Sequence, residues 1–169
     1  GSYHVECRDR HGVLKWYEEF PNLVVAVGKE LMLNTLLSGT SYTTVGPFLG
    51  LTKVSLTPAA TDTMTTLVTT NAAEFINYTV GGSAVRGTAS FTSATSTGTT
   101  PSNVTTKSAS AITYTITGAG GTVGGCFLVT GSGAVSTQSS TAGTLYSAGA
   151  FSTAKVTTSG DTVSVRSEE

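Results

Sequence analysis

Charged residues make up only 11% of this 169-residue chain, and they are unevenly spread. Between Leu31 and Ser152 there are only Lys53, Asp62, Glu74, Arg86 and Lys107. The chain has two histidines (His4, His11), two cysteines (Cys7, Cys126) and one tryptophan (Trp16). Each scarcity excludes something. A net charge of −1 with no Lys/Arg cluster excludes a nucleic-acid surface, which needs basic side chains to displace counterions. Two histidines confined to the first eleven positions leave almost no base for nucleophilic catalysis, and no Gly-x-Ser-x-Gly elbow occurs. A metal site would need His4, Glu6 and Cys7 on one side of a strand, where neighbours alternate. Two cysteines so far apart, in different kinds of segment, read as free thiols. Residues 1–15 lack the apolar stretch of a leader, and the run Leu23–Leu37 is interrupted by Gly28, Lys29, Glu30 and Asn34, so no membrane span is expected. No enzyme activity and no cofactor are expected.

What remains is Ser, Thr, Gly, Ala and scattered β-branched or aromatic residues, which suit a half-buried pleated surface. The mean hydropathy of +0.13 and the low charge are the reverse of a disordered composition. Residues 3–8 alternate and read as a strand, Asp9-Arg10-His11-Gly12 as a turn, and 13–20 as a second strand, making a hairpin. Gly28–Leu37 reads as a helix, with Leu33, Leu36, Leu37 and Met32 on the face expected to pack and Lys29, Glu30 and Asn34 opposite. Beyond it every signal is β: 47–51, 73–80, 84–91, 110–117, 125–130, 144–146, 154–157 and 162–166 are strand candidates. The clearest has Ile112, Tyr114 and Ile116 on one face. Gly-rich turns separate them, and 92–102 reads as a long exposed loop. Gly118–Gly124 imitates a dinucleotide loop, but a strand follows where a helix is required. The expected fold is mainly β, a jelly-roll-like β-sandwich with one short N-terminal helix, 28–38, packed on it. The division expected is a charged N-terminal arm over 1–27 and a sandwich over 28–169.

Nine of the charged residues lie in the first thirty positions, interleaved with aromatics. An interface with an aromatic centre and a polar rim uses both types. Arg8, Arg10, Trp16, Tyr17, Glu18, Glu19 and Phe20 are therefore the candidate partner-binding residues, set against the plainer reading of a hairpin that closes the domain's own sheet.

Several segments resemble small structural proteins of tailed bacteriophages. In the N-terminal half they are Trp16-Tyr17-Glu18-Glu19-Phe20-Pro21-Asn22-Leu23-Val24-Val25, Gly28-Lys29 with Leu33, Tyr42-Thr43 and Phe48-Leu49-Gly50-Leu51. In the C-terminal half they are Gly124-Gly125-Cys126-Phe127-Leu128, Gly143-Thr144-Leu145-Tyr146-Ser147-Ala148-Gly149 with Phe151, and Ser159-Gly160-Asp161-Thr162-Val163-Ser164-Val165. The chain is similar in this order of segments to the capsid decoration, or cement, proteins. The resemblance implies a jelly-roll-like domain without enzymatic activity that binds the major capsid protein on the capsid exterior and bridges neighbouring capsomers. It also implies self-association at a symmetry axis, with a homodimer expected ahead of a homotrimer. Two alternatives stand beside it: a tail, fibre or baseplate component, and a carbohydrate-binding module, which would need exposed coplanar aromatics.

Overall fold

The computed structural model describes the chain except at positions 43–44, 54–56, 72, 93–94, 98–99, 103–110 and 169. Among the described residues the fold is mainly β, in two antiparallel sheets. The first is five-stranded and runs β2 (Leu14–Pro21), β1 (Ser2–Arg8), β13 (Thr162–Glu168), β10 (Ile112–Ile116), β6 (Tyr78–Thr79). The second is six-stranded and runs β3 (Leu23–Val24), β12 (Thr144–Thr157), β11 (Gly121–Thr130), β4 (Phe48–Thr52), β5 (Glu74–Phe75), with β7 (Gly87–Thr88) also on β4. The stretch expected as a loop over 92–102 contains a small ladder of its own, β8 (Thr95–Thr97) with β9 (Thr100–Ser102); its remaining positions 93–94 and 98–99 lie outside the described residues.

The main core lies between the two sheets. Tyr3, Val5 and Cys7 of β1, Tyr114 and Ile116 of β10, and Val163 and Val165 of β13 meet Leu49, Leu51, Cys126, Leu128 and Phe151 of the second sheet. The rings carry their own polar ends inward: the Tyr114 hydroxyl donates to the Leu49 carbonyl at 2.7 Å, and the Tyr3 hydroxyl lies 2.9 Å from Ser147 Oγ. The second sheet is covered on its other face too. There Val25, Met64, Leu67, Phe127, Val129 and Leu145 form a second apolar cluster. That double cover is why β11 is buried almost end to end instead of alternating. Burial keeps both thiols protonated: it pushes Cys7 up to about 11, and it raises Cys126 further.

Four expectations need correction. The N-terminal hairpin is not an arm, because β1 pairs with β13 over its whole length and so sits inside the first sheet. The candidate strand 73–80 breaks into β5 and β6, which join different sheets. The candidates 144–146 and 154–157 are one strand, β12. Helical turns are not confined to one place, since residues 64–70 coil into a short helix whose last five residues are π-helical. Asp62 closes the turn before it, accepting from the Ala59 N–H at 2.8 Å.

The helix, α1 (Ala26–Leu37), is present but turned over. It touches β12 through Gly28, the one fully buried residue of the helix, where an added Cβ would lie 2.4 Å from the Tyr146 carbonyl oxygen. Contact by bare backbone aims Leu33, Leu36 and Leu37, expected to pack, at solvent.

Glu74 and Arg86, two of the five charges in the charge-poor middle, form a buried pair. Arg86 is 1% exposed and donates from Nε and Nη2 to the two carboxylate oxygens of Glu74, both at 2.8 Å. Nη2 also donates to the Ser140 carbonyl at 2.7 Å, and the guanidinium lies over the Phe127 ring at 5.2 Å. Glu74 accepts in addition from the Ser139 N–H at 2.8 Å, and Ser139 holds a positive φ of 62° to present it. The pair thus clamps β5 and the chain before β7 to the 135–140 loop.

Candidate interaction face

Strand alternation divides the hairpin's side chains between two sides. On β1, Tyr3, Val5 and Cys7 are buried, while His4 and Glu6 are half-exposed and Arg8 is exposed. The β1–β2 register places His4 opposite Glu19 and Glu6 opposite Tyr17 on the outer side, with Tyr3 opposite Phe20 and Cys7 opposite Trp16 on the inner side. The β1–β13 register adds Arg166 beside His4 and Ser164 beside Glu6, and β10 adds Thr113 beside Ser164. The outer face of the first sheet is therefore charged and aromatic at the β2 edge and hydroxyl-rich toward β10.

Of the seven expected residues, the structure brings Arg8, Tyr17 and Glu19 together on this outer face. Arg10 is exposed at the hairpin tip, its Nε donating to His11 Nε2 at 3.2 Å. The other three turn inward, which corrects their assignment to an exposed interface. Phe20 is buried and meets Phe151 edge-on at 5.0 Å and Tyr3 at 5.6 Å. Trp16 stacks edge-on against Phe151 at 5.5 Å. Glu18 pairs with Lys155 of β12 at 2.7 Å. The physical reason is the period of two: Trp16, Glu18 and Phe20 share one side of β2, and that side faces the second sheet. His4, Glu6 and Arg166 belong to the site but were not singled out for it. Alternation along β1 pointed to the first two, whereas Arg166 depends on a pairing across more than 150 residues.

The outer face is linked by polar contacts. Tyr17 donates its hydroxyl proton to Glu19 Oε2 at 3.0 Å, and His4 Nδ1 lies 3.2 Å from the same hydroxyl and 3.5 Å from Glu19. Burial, with the Glu19 hydrogen bond and charge behind it, raises the Tyr17 pKa, so the phenol stays a donor at neutral pH. Arg8 Nε donates to Glu6 at 3.1 Å. Between these groups lies a shallow depression of about 170 Å³ bordered by His4, Glu6, Tyr17, Thr113, Ser164 and Arg166.

Ser2 Oγ lies 3.4 Å from His4 Nε2, so Ser2, His4 and Glu19 stand in the order of a nucleophile, base and acid. The contacts are long, and the backbone of Ser2–Arg8 is in register with strands on both sides, so it offers no pair of free N–H groups to stabilise an oxyanion. Among the described residues no group of three or more His, Cys, Asp and Glu is placed to hold a metal ion. No helix among them is long and apolar enough to cross a membrane. Comparison with known proteins found no matching family model, no matching curated protein and no matching solved structure.

Lys15 ties the hairpin to the β12–β13 turn by donating to Asp161 Oδ2; Asp161 also accepts from the Thr158 N–H at 2.8 Å. Burial alone would raise the Asp161 pKa, but the Lys15 and Thr158 hydrogen bonds outweigh it and hold the carboxyl below its ordinary value. A carboxyl with a lower pKa in the folded state stabilises the fold above its unfolded value, near ~4, and that contribution is lost as pH falls through the folded value. Asp161→Asn is expected to cost about 1–3 kcal/mol at pH 7. The gap from wild type should close as pH falls toward ~3. Thermal melts of the two proteins from neutral pH down to that value check this; a gap constant with pH contradicts it.

Proposed function

We propose that this chain is a structural virion protein that binds the outer surface of a tailed-phage capsid and stabilises it by bridging neighbouring capsomers, with the major capsid protein as its partner and no catalytic role. One observation carries the reading most: the charge that the rest of the chain avoids is gathered, with Tyr17, on one side of a rigid sheet, the outer face bearing His4, Glu6, Arg8, Glu19 and Arg166. Both signs are present and little of the face is concave. Such a surface suits docking on another protein's surface rather than enclosing a small molecule. The segment resemblance to decoration proteins points the same way. Within this proposal the two sheets form a jelly-roll-like sandwich, and the protein's place is the capsid exterior.

The carbohydrate-binding alternative loses its anchor, because the only tryptophan faces the core against Phe151. Among the described residues its indole N–H finds no acceptor. A tail or baseplate component shares the β-rich fold and is separated by location alone.

The test uses empty capsids of the phage that encodes the chain, mixed with purified wild type or with Tyr17→Ala combined with Arg166→Glu. Both side chains lie on the outer face, so the fold should survive, as circular dichroism can verify. Occupancy is expected to fall at least ~30-fold at limiting concentration, the cost of losing one hot-spot contact of 2 kcal/mol or more. A folded variant that binds at wild-type occupancy places the interface elsewhere.

A further inference from the structure

The outer face of the first sheet carries a positive charge at its centre that its own fold leaves unanswered. Glu6 is taken by Arg8 at 3.1 Å, and Glu19 accepts from Tyr17 at 3.0 Å with His4 at 3.5 Å. The Arg166 guanidinium forms no hydrogen bond and no ion pair among the described residues. Glu168, two residues further along β13 and beside Ser2, does not pair with it. Arg166 is nevertheless half-buried, and β13 is the central strand of its sheet, so this charge sits in the middle of the face and not at its rim.

The surroundings of Arg166 suit a carboxylate. It borders the depression of about 170 Å³ together with Ala111, whose short side chain leaves room between longer neighbours. One step along the same face, Ser164 and Thr113 stand opposite each other with their hydroxyl oxygens 3.3 Å apart. One hydroxyl proton serves the other oxygen, and the second proton is left to donate outward. The Arg166 charge is felt across this space: burial and Glu19 raise the Tyr17 pKa, and Arg166 opposes them. Glu6 also lines the depression, with its charge offset by Arg8.

We propose that this depression is a socket for one acidic side chain of the partner protein, whose carboxylate takes the Arg166 guanidinium and the remaining hydroxyl proton of the Ser164–Thr113 pair. The proposal rests on the reading of the outer face as the docking face and adds the chemistry of what docks there. Three features select this occupant. The first is geometry, since the planar fork of a guanidinium matches the two oxygens of a carboxylate. The second is size. A space of about 170 Å³ admits one side chain but falls below the ~300–1,000 Å³ of pockets that enclose a small molecule. The third is position. Binding energy concentrates at the centre of an interface, with Arg among the residues that carry it. An Arg unpaired in the free protein is matched only when an acidic partner docks, which favours that partner over others.

Two measurements test the socket, the first without a capsid. The Arg166 Nε–Hε resonance of isotopically labelled wild-type protein is followed by NMR as acetyl-Glu-Glu-Glu-amide is added, with acetyl-Gln-Gln-Gln-amide as the control. The shift with the glutamate peptide is expected to saturate with a half-point of about 10 mM, as for a single charge-assisted contact, and the Thr113 and Ser164 amides should move with it. The glutamine peptide should give no saturating shift. The second measurement is binding to empty capsids of the phage that encodes the chain. Arg166→Gln removes a charge that bonds to nothing in its own fold, so the protein should stay folded while Kd rises at least ~10-fold, with Arg166→Lys between the two. A glutamate peptide that shifts Arg166 no more than the glutamine peptide overturns the socket. A folded Arg166→Gln that binds capsids like wild type also overturns it and leaves the docking reading in place. Capsids left bare by wild-type protein, beside a saturating peptide titration, remove the capsid reading and support the socket as a site for an acidic protein of another kind.

Discussion

Replacing Arg86 with Ala is expected to cost about 3–5 kcal/mol, the usual result of stripping one partner from a buried ion pair. The change strands the Glu74 carboxylate, which is 6% exposed and loses both charge-assisted bonds to Arg86. It also frees the Ser140 carbonyl and opens space over Phe127. Glu74→Ala should cost a similar amount, because it leaves the guanidinium unpaired and the Ser139 N–H without its acceptor. The two losses should not add. Once one charge is gone the other is a liability, so the double variant should recover part of the single-variant loss. Urea unfolding of the four proteins measures this directly. A domain of this size has only about 5–15 kcal/mol in total, so the single variants should be visibly marginal. Single variants within 1 kcal/mol of wild type would show that the pair is not the clamp described here.

Gly125→Ala should be as damaging for a different reason. Gly125 sits in β11 opposite Ala150, where the β11–β12 register shifts between Val123 and Gly125. An added Cβ would lie 2.1 Å from the Gly149 carbonyl oxygen and 2.9 Å from the Ala150 Cα. Both are backbone atoms of a paired strand, so neither can rotate away, and the ladder must part. The expected cost is about 3 kcal/mol or more, at or beyond the upper end of overpacking penalties. Gly118→Ala is the informative comparison. Gly118 has a φ of 59° with no atom within 4 Å of its would-be Cβ, so only the left-handed backbone penalty applies, about 1–2 kcal/mol. Melting temperatures should therefore fall further for Gly125→Ala. Equal losses would mean that the contact between β11 and β12 is looser than described.

Local pattern carried some of this structure and long-range pairing carried the rest. Alternation in residues 3–8 and 112–116 marked β1 and β10 and their buried sides, because each strand has one face on the core. Residues 121–130 carried no such signal, since the second sheet is covered on both faces. β12 read as two short pieces because Gly149 and Ala150 interrupt its pattern. They are small because Phe20 and Gly125 approach closely there, a fact of tertiary contact. The helix was legible as a helix but its buried side was not, since hydrophobic periodicity cannot anticipate packing through Gly28. The same limit applied to Trp16: its neighbours Lys15 and Glu18 suggested a surface, while the period of two put it inside with Phe20. Glu74 and Arg86 stood out as isolated charges, yet nothing in their spacing marked them as a pair that closes a loop 50 residues away.

Electron cryomicroscopy of empty capsids decorated with the purified chain reads out which face meets the capsomers under the proposed function. Density is expected on the shell exterior, with the outer face of the first sheet, His4, Tyr17, Glu19 and Arg166, turned toward the capsomers. Density with that face turned to solvent, or binding confined to the tail, would contradict it.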